Sequence, residues 1–227
     1  MLEPIYNYAI VPTCDRPDVA MRCVEALIPQ VDSLLIIDNG PEERKQFPYL
    51  VGDHSCEVRC INRDVEGTPN LSRIWNLGLR WAADDAYYHE RKQWNVAVLN
   101  DDAIVPVGWF ETVAAKMRDM GAVAGCAGPV QMPILHTRPG PVPLNTRLVG
   151  YAFILAGEAE VRADEAFPWY YSDDHVDWLS REAGGMVMVP CTPVTHLYPD
   201  QRVTPELQEA NALGARNFLA RWGQMPW

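Results

Sequence analysis

The chain has 227 residues, of which 48% are hydrophobic and 22% charged, and its formal net charge is −11. These proportions exclude a disordered segment, and the length suits one α/β domain with a sizeable core. The negative charge excludes a protein that grips nucleic acid or an anionic membrane through its general surface, so any phosphate it holds needs local donors.

The six cysteines are scattered without a C-x-x-C pair, which argues against a zinc knuckle or a thiol redox motif. The N-terminal MLEPIYNYAIV lacks a basic region followed by a long apolar one, and no run reaches the length of a membrane span. A cytoplasmic protein is expected.

In chain order, Tyr8 to Val11 reads as a short buried strand stopped by Pro12, followed by a polar connection and a helix capped by Asp18 that runs to about Leu27. Ser33 to Ile37 is a second strand ending in Asp38-Asn39-Gly40. An acidic residue at the carboxyl end of a parallel strand stands where open α/β sheets bind ligands. Pro41 to Asp53 is polar and loop-like, Glu57 to Ile61 is a third strand, and Asn62, Arg63 and Gly67 follow it. From Pro69, the segment NLSRIWNLGLRWAADDA has helical spacing of its apolar residues.

Val96 to Val105, VAVLNDDAIV, is the stretch that dominates the reading. Adjacent carboxylates at the end of a buried strand repel one another and resist desolvation unless a cation or a set of donors neutralises them. The same Asn-Asp-Asp triplet is also an ordinary turn sequence.

Gly108 to Met120 is amphipathic, and Ala122 to Val130 is a strand of small residues. Gln131 to Arg147 contains Pro133, Pro139, Pro141 and Pro143, which rules out a central strand or a helix and marks an excursion over one face. Gly150 to Ala156 resumes a strand. Phe167 to Gly185 gathers aromatic residues around Asp173, Asp174 and Asp177, with Ser172 or Asp173 placed to cap a helix and Arg181 placed to pair with Asp177. Met186 to Val189 is a last strand, Thr195-His196 follows, and Pro205 to Trp222 is a long helix with Leu207, Ala210, Leu213, Ala215, Phe218 and Leu219 as its apolar positions. That helix would pack on the sheet, form a homodimer, or cover a binding site. Strands ending in polar clusters and alternating with helices predict an α/β, Rossmann-like, doubly wound and mostly parallel sheet.

With these residues in order, the chain resembles the inverting glycosyltransferases of the A-type (GT-A) fold, the family-2-like nucleotide-sugar transferases. IVPTCDRPDVAMRCVEAL and VDSLLIIDNG are similar to that family's opening strand, helix and second strand, and INRDVEGTPNLSRIWNLGL to its loop and helix with Asn76-x-Gly78. LNDDAIVPVGWFE resembles its metal-binding strand end, DEAFPWYYSDDHVDWLSREAGG its acceptor-side acidic element, and VTHL its late histidine. The resemblance covers roughly residues 8 to 197 and implies a single domain: a nucleotide-sugar half over 1–105, an acceptor half over 106–200 and a C-terminal helix and tail over 201–227.

It further implies a metal-dependent transfer of a sugar from a nucleoside-diphosphate sugar, most often a UDP-sugar, to a hydroxyl of a glycan, protein or small molecule. Asp102 and His196 would hold Mn²⁺ or Mg²⁺. Pro12, Thr13, Asp15 and Asp38 would line the nucleotide, with Arg73 and Asn76 nearby and Arg73 or Arg181 on the diphosphate. The triplet begins with Asn100 where many relatives have Asp, which leaves Asp101 a ribose-binding or supporting role. The acidic element is one residue longer than usual, so either Asp174 or Asp173 would be the base. Trp169, Tyr170, Tyr171 and Trp178 offer flat faces to a sugar. A non-catalytic nucleotide-sugar or carbohydrate-binding module is an alternative. A sugar nucleotidyltransferase is another, although the PTCDRP loop has no glycine to cradle a triphosphate.

Overall fold

In the computed structural model, which describes residues 5–40, 56–62, 70–190, 193–197 and 204–227, short apolar strands alternate with amphipathic helices. The polar stretch Pro41–Asp53 and residues Arg63, Gly67 and Cys191 lie outside the described residues. The strands are β1 (Tyr6–Thr13), β2 (Ser33–Asp38), β3 (Glu57–Asn62), β4 (Trp94–Leu99), β5 (Ala103–Ile104), β6 (Ala124–Gly128), β7 (Ile134–His136), β8 (Ala152–Ala156), β9 (Met186–Pro190) and β10 (Thr195–His196). The helices are α1 (Pro17–Leu27), α2 (Leu71–Tyr88), α3 (Trp109–Asp119), α4 (Ser172–Ala183) and α5 (Pro205–Trp222).

Eight strands form one sheet in the order β3-β2-β1-β4-β8-β6-β9-β7, in which β7 and β8 run against the rest, and β5 and β10 form a separate antiparallel pair. Alternate residues of β1 serve opposite faces, as a buried parallel strand requires. Ala9 and Val11 pack with Cys23, Val24 and Leu27 of α1 and with Trp109, Phe110 and Met117 of α3. Tyr8 and Ile10 pack with Ile74, Trp75 and Leu79 of α2. The sheet is therefore doubly wound. Gly78 lets α2 approach closely, since a Cβ there would stand 2.5 Å from Ile10 Cγ2.

Two expectations are corrected. Pro12 does not stop β1, which continues to Thr13 paired with β2 alone, because pairing with β4 ends at Ile10–Val98. Past that point the strand has one neighbour, where a missing N–H is tolerated. Asp18 does not cap α1; Pro17 occupies the first turn, where its lost donor was unpaired anyway, and Asp18 sits inside the turn. The proline-rich excursion includes β7, a three-residue strand at the sheet edge. Among the described residues, no helix is long and apolar enough to cross a membrane.

The helix α5 docks through a small aromatic cluster in which Phe218 meets Phe167, Tyr171 and Trp178. Of the apolar positions read from the sequence only Phe218 is fully buried, and Leu213 and Leu219 are 37% and 50% exposed. The contact is a patch near one end of the helix rather than a stripe along it.

Candidate active site

Because β1, β2 and β4 run parallel, Thr13, Asp38 and Leu99 end at one edge of the sheet. Beyond β4 the chain turns tightly, with Ala103 N donating to Asn100 O at 3.1 Å, so the triplet is a turn as well as a carboxylate site. Asp101 and Asp102 are only 2% and 4% exposed there. Thr13 Oγ1 donates to Asp101 Oδ2 at 2.8 Å. Arg16 reaches both acids, forming a close ion pair with Asp101 and a longer contact of 3.3 Å from Nη1 to Asp102 Oδ2. Burial raises the Asp101 carboxyl above its ordinary pKa, an effect that Arg16 and Thr13 oppose and the charge of Asp102 reinforces.

The β5–β10 pairing sets His196 opposite Ala103, and this register returns the imidazole to the turn. His196 Nε2 lies 3.1 Å from Asp102 Oδ1, and its ring stacks on Tyr151 with centroids 4.5 Å apart and planes at 14°. The imidazole contact lacks hydrogen-bond geometry, so Asp102 Oδ1 is a buried acceptor without a hydrogen-bond donor. A naked carboxylate oxygen beside an imidazole nitrogen fits a divalent cation whose remaining positions go to substrate or water. Among the described residues no group of three or more His, Cys, Asp or Glu gathers to hold a metal, so a cation there would depend on oxygens from another molecule.

Beside these groups, Asp38 Oδ1 accepts from Gly40 N at 2.9 Å, and Asp15 adopts a left-handed backbone with φ 55. Gly40 is pinched between the two, since a Cβ there would stand 3.0 Å from Asp38 Oδ1 and 3.3 Å from Asp15 Oδ1. The Cys14 thiol is pushed up first by burial and then by Asp15, Asp38 and Asp101. The structure thus gathers Pro12, Thr13, Asp15, Asp38, Asp101, Asp102 and His196 at one sheet edge. Arg73 and Asn76 are engaged elsewhere. Arg73 Nε pairs with Glu165 at 3.1 Å on the surface, and the Asn76 amide clamps Ala163 through bonds of 2.7 and 3.0 Å. With Ser72 Oγ donating to Phe167 O at 2.6 Å, α2 uses these groups to fix the segment that leads into α4.

That segment ends at Tyr171, whose left-handed φ of 68 starts α4 without a side-chain cap. Neither expected cap forms, since Ser172 and Asp173 both lie inside the helix, and the Ser172 hydroxyl is engaged with Phe167 O and Ser72 Oγ at 2.8 and 2.9 Å. In the first turn Asp174 Oδ1 accepts from Arg147 Nη1 at 2.6 Å. Burial, then the charge of Asp173, push the Asp174 carboxyl up to about 8 although Arg147 opposes them. Asp173 is also raised by burial and is packed against Gly150, where a Cβ would stand 2.7 Å from its Cγ. Asp177 and Arg181 form the expected pair, with Nε to Oδ1 at 2.9 Å, and Arg181 Nη1 also donates to Gly140 O at 2.9 Å. Arg181 is thereby held in the interior by Asp177 and the Gly140 carbonyl. Trp178 is 1% exposed against Phe218 and Trp222, so it offers no face to a sugar.

The two acidic groups meet through one dipeptide. Gly150 backs Asp173, and the next residue, Tyr151, stacks on His196 and accepts Asn100 N at 2.9 Å. The sequence reading missed Arg16, Arg147 and Tyr151. Arg16 stood in view as a cation in the loop after β1, whereas nothing local marks Arg147 or Tyr151.

No family model matches the chain, and no curated protein does. Solved structures do resemble it. S. aureus TarS 1-349 matches with a TM-score of 0.56 and 8% identity over 95% of this chain and 72% of that one. S. aureus TarS 1-349 in complex with UDP-GlcNAc matches with a TM-score of 0.52 and 11% identity over 95% and 67%. At such identities the likeness speaks of architecture, and this chain has a glycosyltransferase-like, Rossmann-like α/β fold.

Proposed function

We propose that the protein is an inverting glycosyltransferase that takes a sugar from a nucleoside-diphosphate donor, with UDP-sugars as the first candidates. The observation that carries this reading is the convergence of Thr13, Arg16, Asp101, Asp102 and His196 at one sheet edge, with Asp102 Oδ1 buried and lacking a donor. The UDP-GlcNAc complex of a structural neighbour supports the choice of ligand class.

In this reading Thr13 and Asp38 bind the nucleoside, and Asp101 supports the turn while held by Thr13 and Arg16. Asp102 and His196 would hold Mn²⁺ or Mg²⁺, which when bound supplies Lewis-acid neutralisation of the leaving diphosphate. On the other side Asp174, or Asp173 beside it, accepts the proton of the acceptor hydroxyl. The acceptor oxygen bonds to the anomeric carbon from the face opposite the leaving group, and the electron pair of the broken bond departs with the diphosphate. Arg147 fixes the orientation of the Asp174 carboxyl, whose pKa near 8 lies close to the working pH of a general base. The acceptor is a glycan, protein or small molecule.

Calorimetric titration of UDP with and without Mn²⁺, on the wild type and Asp102→Ala, tests the donor site. Metal-dependent binding that disappears in the variant is expected. Absence of binding by UDP, TDP and GDP alike would return the turn to a purely structural role. A donor screen with Asp173→Asn and Asp174→Asn then separates an enzyme from a binding module, since a binder turns over no donor.

A further inference from the structure

Arg16 is held differently by its two partners. Its side chain is 45% exposed and reaches in from the loop after β1 to carboxylates that are 3% and 5% exposed. It pairs closely with Asp101, but its contact with Asp102 is 3.3 Å, and the other oxygen of Asp102 accepts no hydrogen bond and has the His196 imidazole nitrogen beside it at 3.1 Å. One guanidinium serves two buried carboxyl groups, with the His196 imidazole against the second of them, and a buried acidic turn of this kind has a place for a further cation.

We infer that Arg16 is an exchangeable counter-ion: it holds the charge of Asp102 until a divalent cation arrives, then keeps Asp101 and turns its free nitrogens to the diphosphate of the donor. This rests on the nucleotide-sugar reading of the same site. The side chain is 45% exposed, which leaves it room on the solvent side, and it enters the site from between Asp15, with φ 55, and Pro17 in the first turn of α1. A guanidinium matches paired phosphate oxygens in geometry as well as it matches a carboxylate. The cation alone must compete with Arg16 for Asp102, whereas the cation and the diphosphate together satisfy both positive groups. Their binding is therefore coupled through this one side chain, and the coupling is reciprocal.

The test is Mn²⁺ binding to the full chain, followed by electron paramagnetic resonance of the free ion, with and without UDP. The variants are Arg16→Ala, Arg16→Gln, which keeps the stem and its hydrogen-bonding end, and Asp102→Asn. Both Arg16 variants should bind Mn²⁺ alone about five- to tenfold tighter than the wild type, the scale of losing one charged competitor at a partly exposed site. In the same variants UDP should lose most of its power to tighten Mn²⁺ binding. Unchanged Mn²⁺ affinity together with a full UDP effect in both variants overturns the role of Arg16 and leaves the donor site standing. Mn²⁺ binding that survives Asp102→Asn, or none in any protein even with UDP, overturns the site itself.

Discussion

Arg147 Nη1 stands 2.6 Å from Asp174 Oδ1, a largely buried ion pair between the end of the proline-rich excursion and the first turn of α4. The cation does not bring the carboxyl down to its ordinary range, because burial and the charge of Asp173 outweigh it and leave Asp174 at about 8. A base must be deprotonated to act, so transfer should rise with pH through that value. Arg147→Ala removes a lowering influence and should move the rising limb of kcat up by about one pH unit, with roughly tenfold less activity at pH 7. Arg147→Lys should recover part of the shift. A pH–rate profile checks this, and a limb that stays in place would remove Asp174 from the role of base.

The buried pair of Asp177 and Arg181 predicts an asymmetry in stability. Burial pushes the Asp177 carboxyl up to about 6 even with Arg181 in contact, so after Arg181→Met this carboxyl can neutralise itself by taking a proton. After Asp177→Asn the guanidinium has no such escape, and breaking a buried pair in this way costs about 3–5 kcal/mol. Urea denaturation at pH 6 should find Asp177→Asn the more destabilised, with the gap narrowing as the pH rises. Equal losses at every pH would contradict the account.

His175 lies between Phe167 and Trp222, with ring centroids 4.8 and 5.8 Å away, and neither ring nitrogen has a hydrogen-bond partner. Burial lowers its pKa to about 4, with Asp164 and Arg221 acting in opposite directions. The unfolded chain takes up this proton near the ordinary histidine pKa of about 6.5, while the fold resists until about 4, so this site's stability is present above 6.5 and is lost as pH falls between those values. His175→Phe should therefore gain on the order of 1–3 kcal/mol relative to wild type on going from pH 7 to pH 4.5. Thermal unfolding across that range checks it, and a constant difference would show that the imidazole does not drive the loss.

Gly150→Ala should lower turnover more than it lowers stability. The added methyl would meet Asp173 at 2.7 Å from Cγ and force either the carboxylate or the backbone before Tyr151 to move. A misplacement of this size near reacting groups costs about 10²-fold in rate. A single-turnover assay with saturating donor, run beside a melting curve, distinguishes this from simple unfolding.

Most of the sheet was legible because β1, β2, β4, β6, β8 and β9 are runs of apolar or small residues between polar breaks, α1 to α3 because their apolar faces repeat at helical spacing, and α4 because its acids and Arg181 are spaced for a helix, whereas β7 lay hidden among prolines. The strand-end acids were legible for the same reason: buried strands that end in carboxylates violate the usual pattern of burial. What stayed hidden depends on partners distant in sequence. Arg16 and Asp101 are 85 residues apart, and Arg147 and Asp174 are 27 apart. Asn76 and Arg73 have residue types suited to a nucleotide, but the segment before α4 claims both side chains. The cap of α4 was misread because Ser172, a good capping residue in isolation, lies inside the helix with its hydroxyl engaged by Ser72 and Phe167. For α5, periodicity promised a stripe, while the body of the molecule offers only an aromatic patch.

The dipeptide Gly150–Tyr151 gives the molecule a built-in caliper. One jaw rests on Asp173 and the other on His196, and the bridge between them is a single peptide unit, about 3.8 Å from one Cα to the next. Such a gap cannot be widened by sliding a loop, because its Tyr151 end is bonded to the turn at Asn100 and leads directly into β8 at the middle of the sheet. The separation of the Asp173 side of α4 from the His196 side of the β4 turn is thus set by backbone tied into the sheet.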